Sequence, residues 1–155
     1  MKIRPATRED IGELAYMILQ WATNELPENL GLMDSTAWQS ERTAQLIVSS
    51  NSYVTRVLDD NGQVVGAYVM MLYGNGTFGS EPYASLLGVY VKPDKRSYKF
   101  HGLKLIMDAQ QIATELGLSR LEINPMPGSK GMQAVLQRLG YLPMCITHTK
   151  RLNHG

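Results

Sequence analysis

The chain has 155 residues, 44% of them hydrophobic and 19% charged, with a formal net charge of +1; that length suits one domain, 1–155, burying a real core, and the near-neutral balance excludes a general nucleic-acid binder. The single cysteine, Cys145, excludes an internal disulfide and a multi-cysteine zinc site, and His101, His148 and His154 lack metal-motif spacing, so no metal is expected. The first residues, MKIRPATRED, contain no apolar h-region, and the longest apolar run, Val64 to Tyr73, falls short of the ~20 residues of a membrane span, so a cytoplasmic protein without a membrane partner is the expectation.

Lys2 to Ala6 reads as a short first strand. Thr7-Arg-Glu-Asp10 then forms a capping box, with Asp10 placed to reach back to the cap. Ile11, Leu14, Ala15, Ile18 and Ala22 follow at helical spacing. Asn24 to Asp34 is a loop carrying Pro27 and Gly31. Ser35 then caps a second helix with Trp38, Leu46 and Ile47. Ser52 to Leu58 is a strand, Asp59 to Gly62 a hairpin turn built on Asn-Gly, and Gln63 to Leu72 the returning strand, so apolar that it belongs at the centre of a sheet. Gly74 to Pro82 is a second turn region. Ala84 to Val91 is the next strand, with Gly88 at a bulge.

A helix with Leu105, Ala109, Ile112 and Leu116 on one face stops at Gly117. Arg120 to Asn124 is a short strand, and Met132, Val135, Leu136 and Leu139 mark a further helix ending at Gly140. Tyr141 to Thr149 alternates weakly as a last strand. Three hairpin-linked strands make an antiparallel core, and the strand-helix-strand unit from Ala84 to Asn124 adds one parallel crossover. The fold class is therefore α/β (α+β): a mixed, mostly antiparallel sheet flanked by helices.

The segment between the strand and that helix, VYVKPDKRSYKFHGLKL from Val89 to Leu105, has the build of a phosphate cradle, with a strand, a loop and a helix N-terminus in succession. Such loops are usually rich in glycine, and this one holds only Gly102, at its far edge. Lys95, Arg96 and Lys99 put three cations beside the helix N-terminus, which already favours anions. Taken without their neighbours, the same cations would simply solvate a surface turn.

The order of elements, the V-x-P-x-x-R match at Val91, Pro93 and Arg96, and the later MQAVLQRLGYLP with its Gly140-Tyr141 pair resemble the GNAT superfamily of N-acetyltransferases over nearly the whole chain. The resemblance implies acetyl-CoA as co-substrate. The backbone of Val89, Tyr90 and Val91 would hold the pantetheine arm and the acetyl group. The loop Arg96, Ser97, Tyr98, Lys99, Phe100, His101 and Gly102 would hold the pyrophosphate. The fourth strand and the strand after the helix would splay to admit the cofactor. An acceptor amine, small-molecule or peptide, would attack the thioester directly, and a homodimer would be in keeping with the family.

Three departures stand out. The family loop reads Q/R-x-x-G-x-G/A, but Lys99 and His101 occupy the glycine positions. The tyrosine that often protonates the departing thiolate is replaced by Leu136; Tyr90 and Tyr141 are stand-ins, or core and edge tyrosines. A thiolate, with a thiol pKa near ~8.5, leaves tolerably without such help. The asparagine at the start of the later helix is replaced by Ser129, which either contacts the cofactor arm or acts as an N-cap.

An attacking amine must lose a proton, so a base is required. Glu122 is the preferred candidate, at a place where some relatives carry a catalytic glutamate; the alternative is a strand glutamate paired with a neighbour. Glu81 and His148 are weaker candidates. Glu25, Glu28, Asp34, Trp38, Tyr73, Phe78, Glu81 and Tyr83 would line the acceptor side, where acids beside aromatics suit a cationic amine. The competing readings are a catalytically degenerate CoA-binding or protein-interaction module and a non-acetyl acyltransferase on the same scaffold.

Overall fold

The computed structural model describes residues 1–24, 37–74, 81–96, 100–124 and 130–144. Strands β1 (Lys2–Pro5), β2 (Tyr53–Asp60), β3 (Gln63–Tyr73), β4 (Tyr83–Val91) and β5 (Leu121–Ile123) lie side by side in that order. The first three junctions are antiparallel and β4 pairs with β5 in parallel, so the sheet is mixed and mostly antiparallel. Helices α1 (Ile11–Asn24), α2 (Ala37–Ser49), α3 (His101–Glu115) and α4 (Lys130–Arg138) complete the order.

The helices cover both faces. Leu105, Ile106 and Ala109 of α3 pack with Leu58, Val65, Tyr68, Met70, Ala84, Leu86 and Val91 on one face, where Met132 and Leu139 of the α4 region join them. Leu14 and Met17 of α1 and Ala44 of α2 pack with Val57, Val64 and Ala67 on the other. A strand covered on both faces cannot spend alternate positions on water. That is why β3 reads as an unbroken apolar run and stands at the centre of the sheet.

The turns follow the residues that allow them. Asn61 and Gly62 take φ of 54° and 90° between β2 and β3, and the Gly62 N–H donates to Asp59 Oδ1 at 2.6 Å. Gly117 (φ 71°) ends α3, with the Leu118 N–H on the Ala113 carbonyl at 3.1 Å. Gly140 (φ 87°) ends α4, with the Tyr141 N–H on the Leu136 carbonyl at 3.0 Å. Asp10 reaches back to the Thr7 N–H at 2.8 Å, and Arg4 bridges it to Asp59 at 2.8 and 2.7 Å.

Several expectations shift. Leu46 (51% exposed) lies off the buried row of Ser40, Ala44 and Ile47, and Leu116 (52%) sits past the last turn of α3, where the chain swings away at Gly117. β5 has three residues rather than five, because only Leu121 to Ile123 find partners on β4. Residues 141–144 are not a strand; the rest of the expected last strand, the loop from 25 to 34 and Ser35 lie outside the described residues.

Candidate active site

β4 and β5 are joined only along Ala84 to Leu86. At that point β4 carries a bulge: Val69 faces Gly88 and Met70 faces Leu86, so Leu87 is the extra residue. A bulge resets the alternation of a strand. Ala84 and Leu86 point to the α3 face before it, and Val89 and Val91 point to the same face after it. Beyond Leu86, β4 has no strand partner on this side among the described residues.

Two hydrogen bonds fix which backbone groups face that open edge. The Lys92 N–H donates to Val65 on β3 at 2.9 Å, and the Ala84 N–H donates to Arg120 on the β5 side at 3.2 Å. Successive residues of a strand turn their polar groups to opposite sides. The groups of Tyr90 are therefore spent on β3, and those of Val89 and Val91 are turned outward. The Tyr90 backbone is thus turned away from an arm lying along the edge, and the Val89 and Val91 backbones are turned toward it. Arg96 already takes one outward acceptor, its Nε donating to the Val91 carbonyl at 2.8 Å.

The edge runs by way of a 3₁₀ turn, Pro93–Lys95, toward the start of α3. The first intrahelical bond there goes from the Lys104 N–H to the Phe100 carbonyl at 3.0 Å. The amides of His101, Gly102 and Leu103 thus have no acceptor within the helix, which is the arrangement that binds anions. Nothing lies within 4 Å of where a Gly102 side chain would start. Phe100 takes the left-handed conformation, φ 54° and ψ 40°, and the residue is 79% exposed. The positive φ falls on the residue between the two positions where the family motif has glycine. Ser97, Tyr98, Lys99 and Ser129 lie outside the described residues.

Glu122 lies beside Ser85 in the β4–β5 register, and its Oε1 accepts from Arg120 Nε at 3.0 Å. The Arg120 guanidinium stacks 3.9 Å over Tyr83, whose ring lies 4.7 Å from that of Tyr73. Aromatic, aromatic and cation form a row from β3 across β4 to the residue before β5 and end at the carboxylate. The pairing of Arg120 with Glu122 was one of two open readings of that glutamate, and a base role would fall to its other oxygen. Glu81 is exposed just before β4. Glu25, Glu28, Asp34, Phe78, His148 and the Trp38 side chain lie outside the described residues.

The two stand-in tyrosines are on opposite faces. Tyr90 packs on the α1 and α2 face, with the Arg96 guanidinium 5.2 Å above its ring. Tyr141 reaches Gln110 of α3 at 3.4 Å, and burial raises its hydroxyl above the ordinary value. Leu136 is buried, 7% exposed. An open groove lined by Lys2, Leu58, Lys104, Asp108 and Leu139 borders β1 and the flank of α3, away from the β4 edge. Among the described residues no group of His, Cys, Asp and Glu could hold a metal ion, and no helix is long and apolar enough to cross a membrane.

Composition and motif missed two anchors. Lys92 bridges to Glu13 of α1 at 2.9 Å across 79 positions of sequence, and Arg96 seals a backbone carbonyl. Neither pairing has a local signal.

A mixed sheet that opens beyond a bulge toward a helix N-terminus is the architecture of the acetyltransferases that the sequence resembles. The chain belongs to the acetyltransferase (GNAT) family, whose model matches residues 15–141. Solved structures share the fold at low identity. A ribosomal-protein-alanine N-acetyltransferase from Brucella melitensis biovar Abortus 2308 is 16% identical, with a TM-score of 0.73 over 98% of this chain and 100% of that one. AAC(6')-Iy, in complex with the bisubstrate analogue CoA-S-monomethyl-acetylneamine, is 20% identical, with a TM-score of 0.72 over 97% and 98%. An aminoglycoside acetyltransferase from an uncultured soil metagenomic sample is 17% identical, with a TM-score of 0.72 over 98% and 96%. No curated protein matches the chain.

Proposed function

We propose that the chain transfers an acetyl group from acetyl-CoA to a primary amine by direct attack on the thioester. The observation that carries this reading is the open edge of β4, with the groups of Val89 and Val91 turned outward and leading to the amides at the start of α3, which have no acceptor within the helix. An extended amide-bearing arm fits such an edge as an added strand would. The amides of His101 and Gly102, with the cations of Lys95 and Arg96, suit the pyrophosphate at its far end.

An outward amide near the bulge would donate to the thioester carbonyl and stabilise the oxyanion. The amine nitrogen bonds to the carbonyl carbon, the carbon–sulfur bond breaks, and the thiolate departs with its electron pair. The amine proton passes to a base, for which Glu122 is the candidate, with Arg120 holding its carboxylate on the strand. The acceptor is a small-molecule or peptide amine, the two classes named for the neighbouring structures.

The test is thermal unfolding with saturating acetyl-CoA against free CoA, followed by an amine screen. At ~100 times the dissociation constant, binding adds roughly 2.7 kcal/mol, a melting shift of several degrees in a chain of this size. No shift at millimolar cofactor would refute the reading. With an acceptor found, Glu122→Gln should lower kcat about 10²-fold or more while leaving the cofactor-induced shift in place; unchanged kcat would remove Glu122 from the mechanism. One observation favours a second reading: buried Leu136 stands where relatives place a tyrosine acid. A CoA-binding module without transfer would show the melting shift and no product with any amine or acyl-CoA.

A further inference from the structure

Among the described residues, one buried side-chain nitrogen or oxygen lacks a hydrogen-bond partner: Nε2 of His101. His101 is 2% exposed and opens α3. It stands in the helix row His101, Leu105, Ala109, all buried, which faces the sheet. Its other ring nitrogen, Nδ1, lies 3.0 Å from the Lys95 carbonyl. A carbonyl only accepts, so Nδ1 carries the proton and donates. The side chain is thus a single-donor tether with the rest of its ring packed in the core.

What it tethers matters. Lys95 ends the 3₁₀ turn Pro93–Lys95. The next residue, Arg96, closes on the Val91 carbonyl at 2.8 Å. His101 itself starts the helix whose first amides lack helical acceptors. One side-chain bond therefore joins the end of β4, by way of its turn, to the N-terminus of α3. Glycine at this position would let the backbone settle closely around an anion, and a histidine cannot do that.

We propose that His101 is a positioning residue for the cofactor loop: its Nδ1–H bond to Lys95 holds the turn against α3 in the geometry that accepts a pyrophosphate. This rests on the acetyl-CoA reading above. A turn held in this way is formed before the cofactor arrives, so binding does not have to order it. Nε2 takes no part in the tether.

The test compares dissociation constants of acetyl-CoA and acetyl-pantetheine, which lacks the pyrophosphate, across three variants. Asparagine carries a donor where histidine has Nδ1; glutamine carries one where histidine has Nε2. His101→Ala and His101→Gln are expected to weaken acetyl-CoA binding roughly fivefold to tenfold, and to weaken acetyl-pantetheine binding far less. His101→Asn is expected to recover most of the acetyl-CoA affinity. Equal losses for both ligands would overturn the inference, since they would mean general damage to the fold. So would retention by His101→Gln with loss in His101→Asn, since Nε2 would then be the working nitrogen. Failure of the wild-type chain to bind acetyl-CoA would sink the functional reading itself, before any variant is compared.

Discussion

Among the described residues, Phe100 carries the clearest sign of backbone strain. A phenylalanine at φ 54° puts its Cβ against the neighbouring carbonyl, at a cost of ~1–2 kcal/mol. With 79% of the residue exposed, the ring recovers little of that by burial. Strain of this kind persists where surrounding structure imposes it, often at ligand sites. Here the Lys104 bond to the Phe100 carbonyl and the His101 tether leave the residue no other route into the helix. Phe100→Gly should therefore raise stability by about 1 kcal/mol, read as a higher denaturant midpoint at unchanged slope. A lower midpoint would mean that the ring contributes packing that outweighs the strain. The sequence showed that this loop lacks glycine at the two motif positions, Lys99 and His101, and that Arg96 stands at the motif's first position. It did not show where the positive φ would fall, because the residue that takes it has no local preference for it. Nor did it show the Arg96 bond to Val91, since a backbone carbonyl leaves no trace in residue types.

At the level of elements, the open edge of β4 depends on how closely α3 approaches the sheet. Gly66 on β3 sets that distance. A Cβ there would meet the Tyr90 carbonyl at 2.9 Å, Leu105 Cδ1 at 3.4 Å and Val91 Cγ2 at 3.4 Å. Side chains can yield by a few tenths of an ångström, but the carbonyl belongs to the β4 backbone and cannot yield without moving the strand. Gly66→Ala is expected to cost roughly 1–3 kcal/mol, the range for overpacking a filled core. It should also weaken acetyl-CoA binding, because the displaced residues, Tyr90 and Val91, belong to the edge. A stability loss with unchanged cofactor affinity would separate the edge from the packing beneath it. The strands themselves were largely legible. The apolar run of β3 and the Asn-Gly turn each state a local physical demand, and Gly88 marks the β4 bulge to within one residue, the extra residue being Leu87. The length of β5 was not legible, since it is set by where β4 bends away rather than by residues 120–124.

Across the whole molecule, one polar network links the sheet to α3 on the flank toward β1. Asp108 Oδ2 accepts from Tyr68 Oη and from Arg56 Nε, each at 2.8 Å, and Arg56 also donates to the Ile3 carbonyl at 3.3 Å. The members stand 40 and 52 positions from Asp108, so no spacing rule could find them. Tyr68 is almost wholly buried, 2% exposed. Burial first, and the Asp108 carboxylate second, push its hydroxyl far above the ordinary value of 10.0. A group whose folded value is raised contributes stability that is intact below its unfolded value and is lost as pH rises past it. The contribution of Tyr68 should therefore be constant through neutral pH and decline only above about pH 10, where the unfolded chain ionises. Tyr68→Phe removes one donor and leaves Asp108 paired with Arg56, for an expected loss of about 1.5 kcal/mol. Asp108→Ala strands a buried hydroxyl and a partly buried guanidinium together, and should cost about twice that. Denaturant titrations of the two variants and the double variant at pH 7 test the order. If Asp108→Ala cost no more than Tyr68→Phe, α3 would be held by its apolar row of Leu105, Ile106 and Ala109 alone, and the network would not help set the height of the helix that follows the proposed phosphate loop.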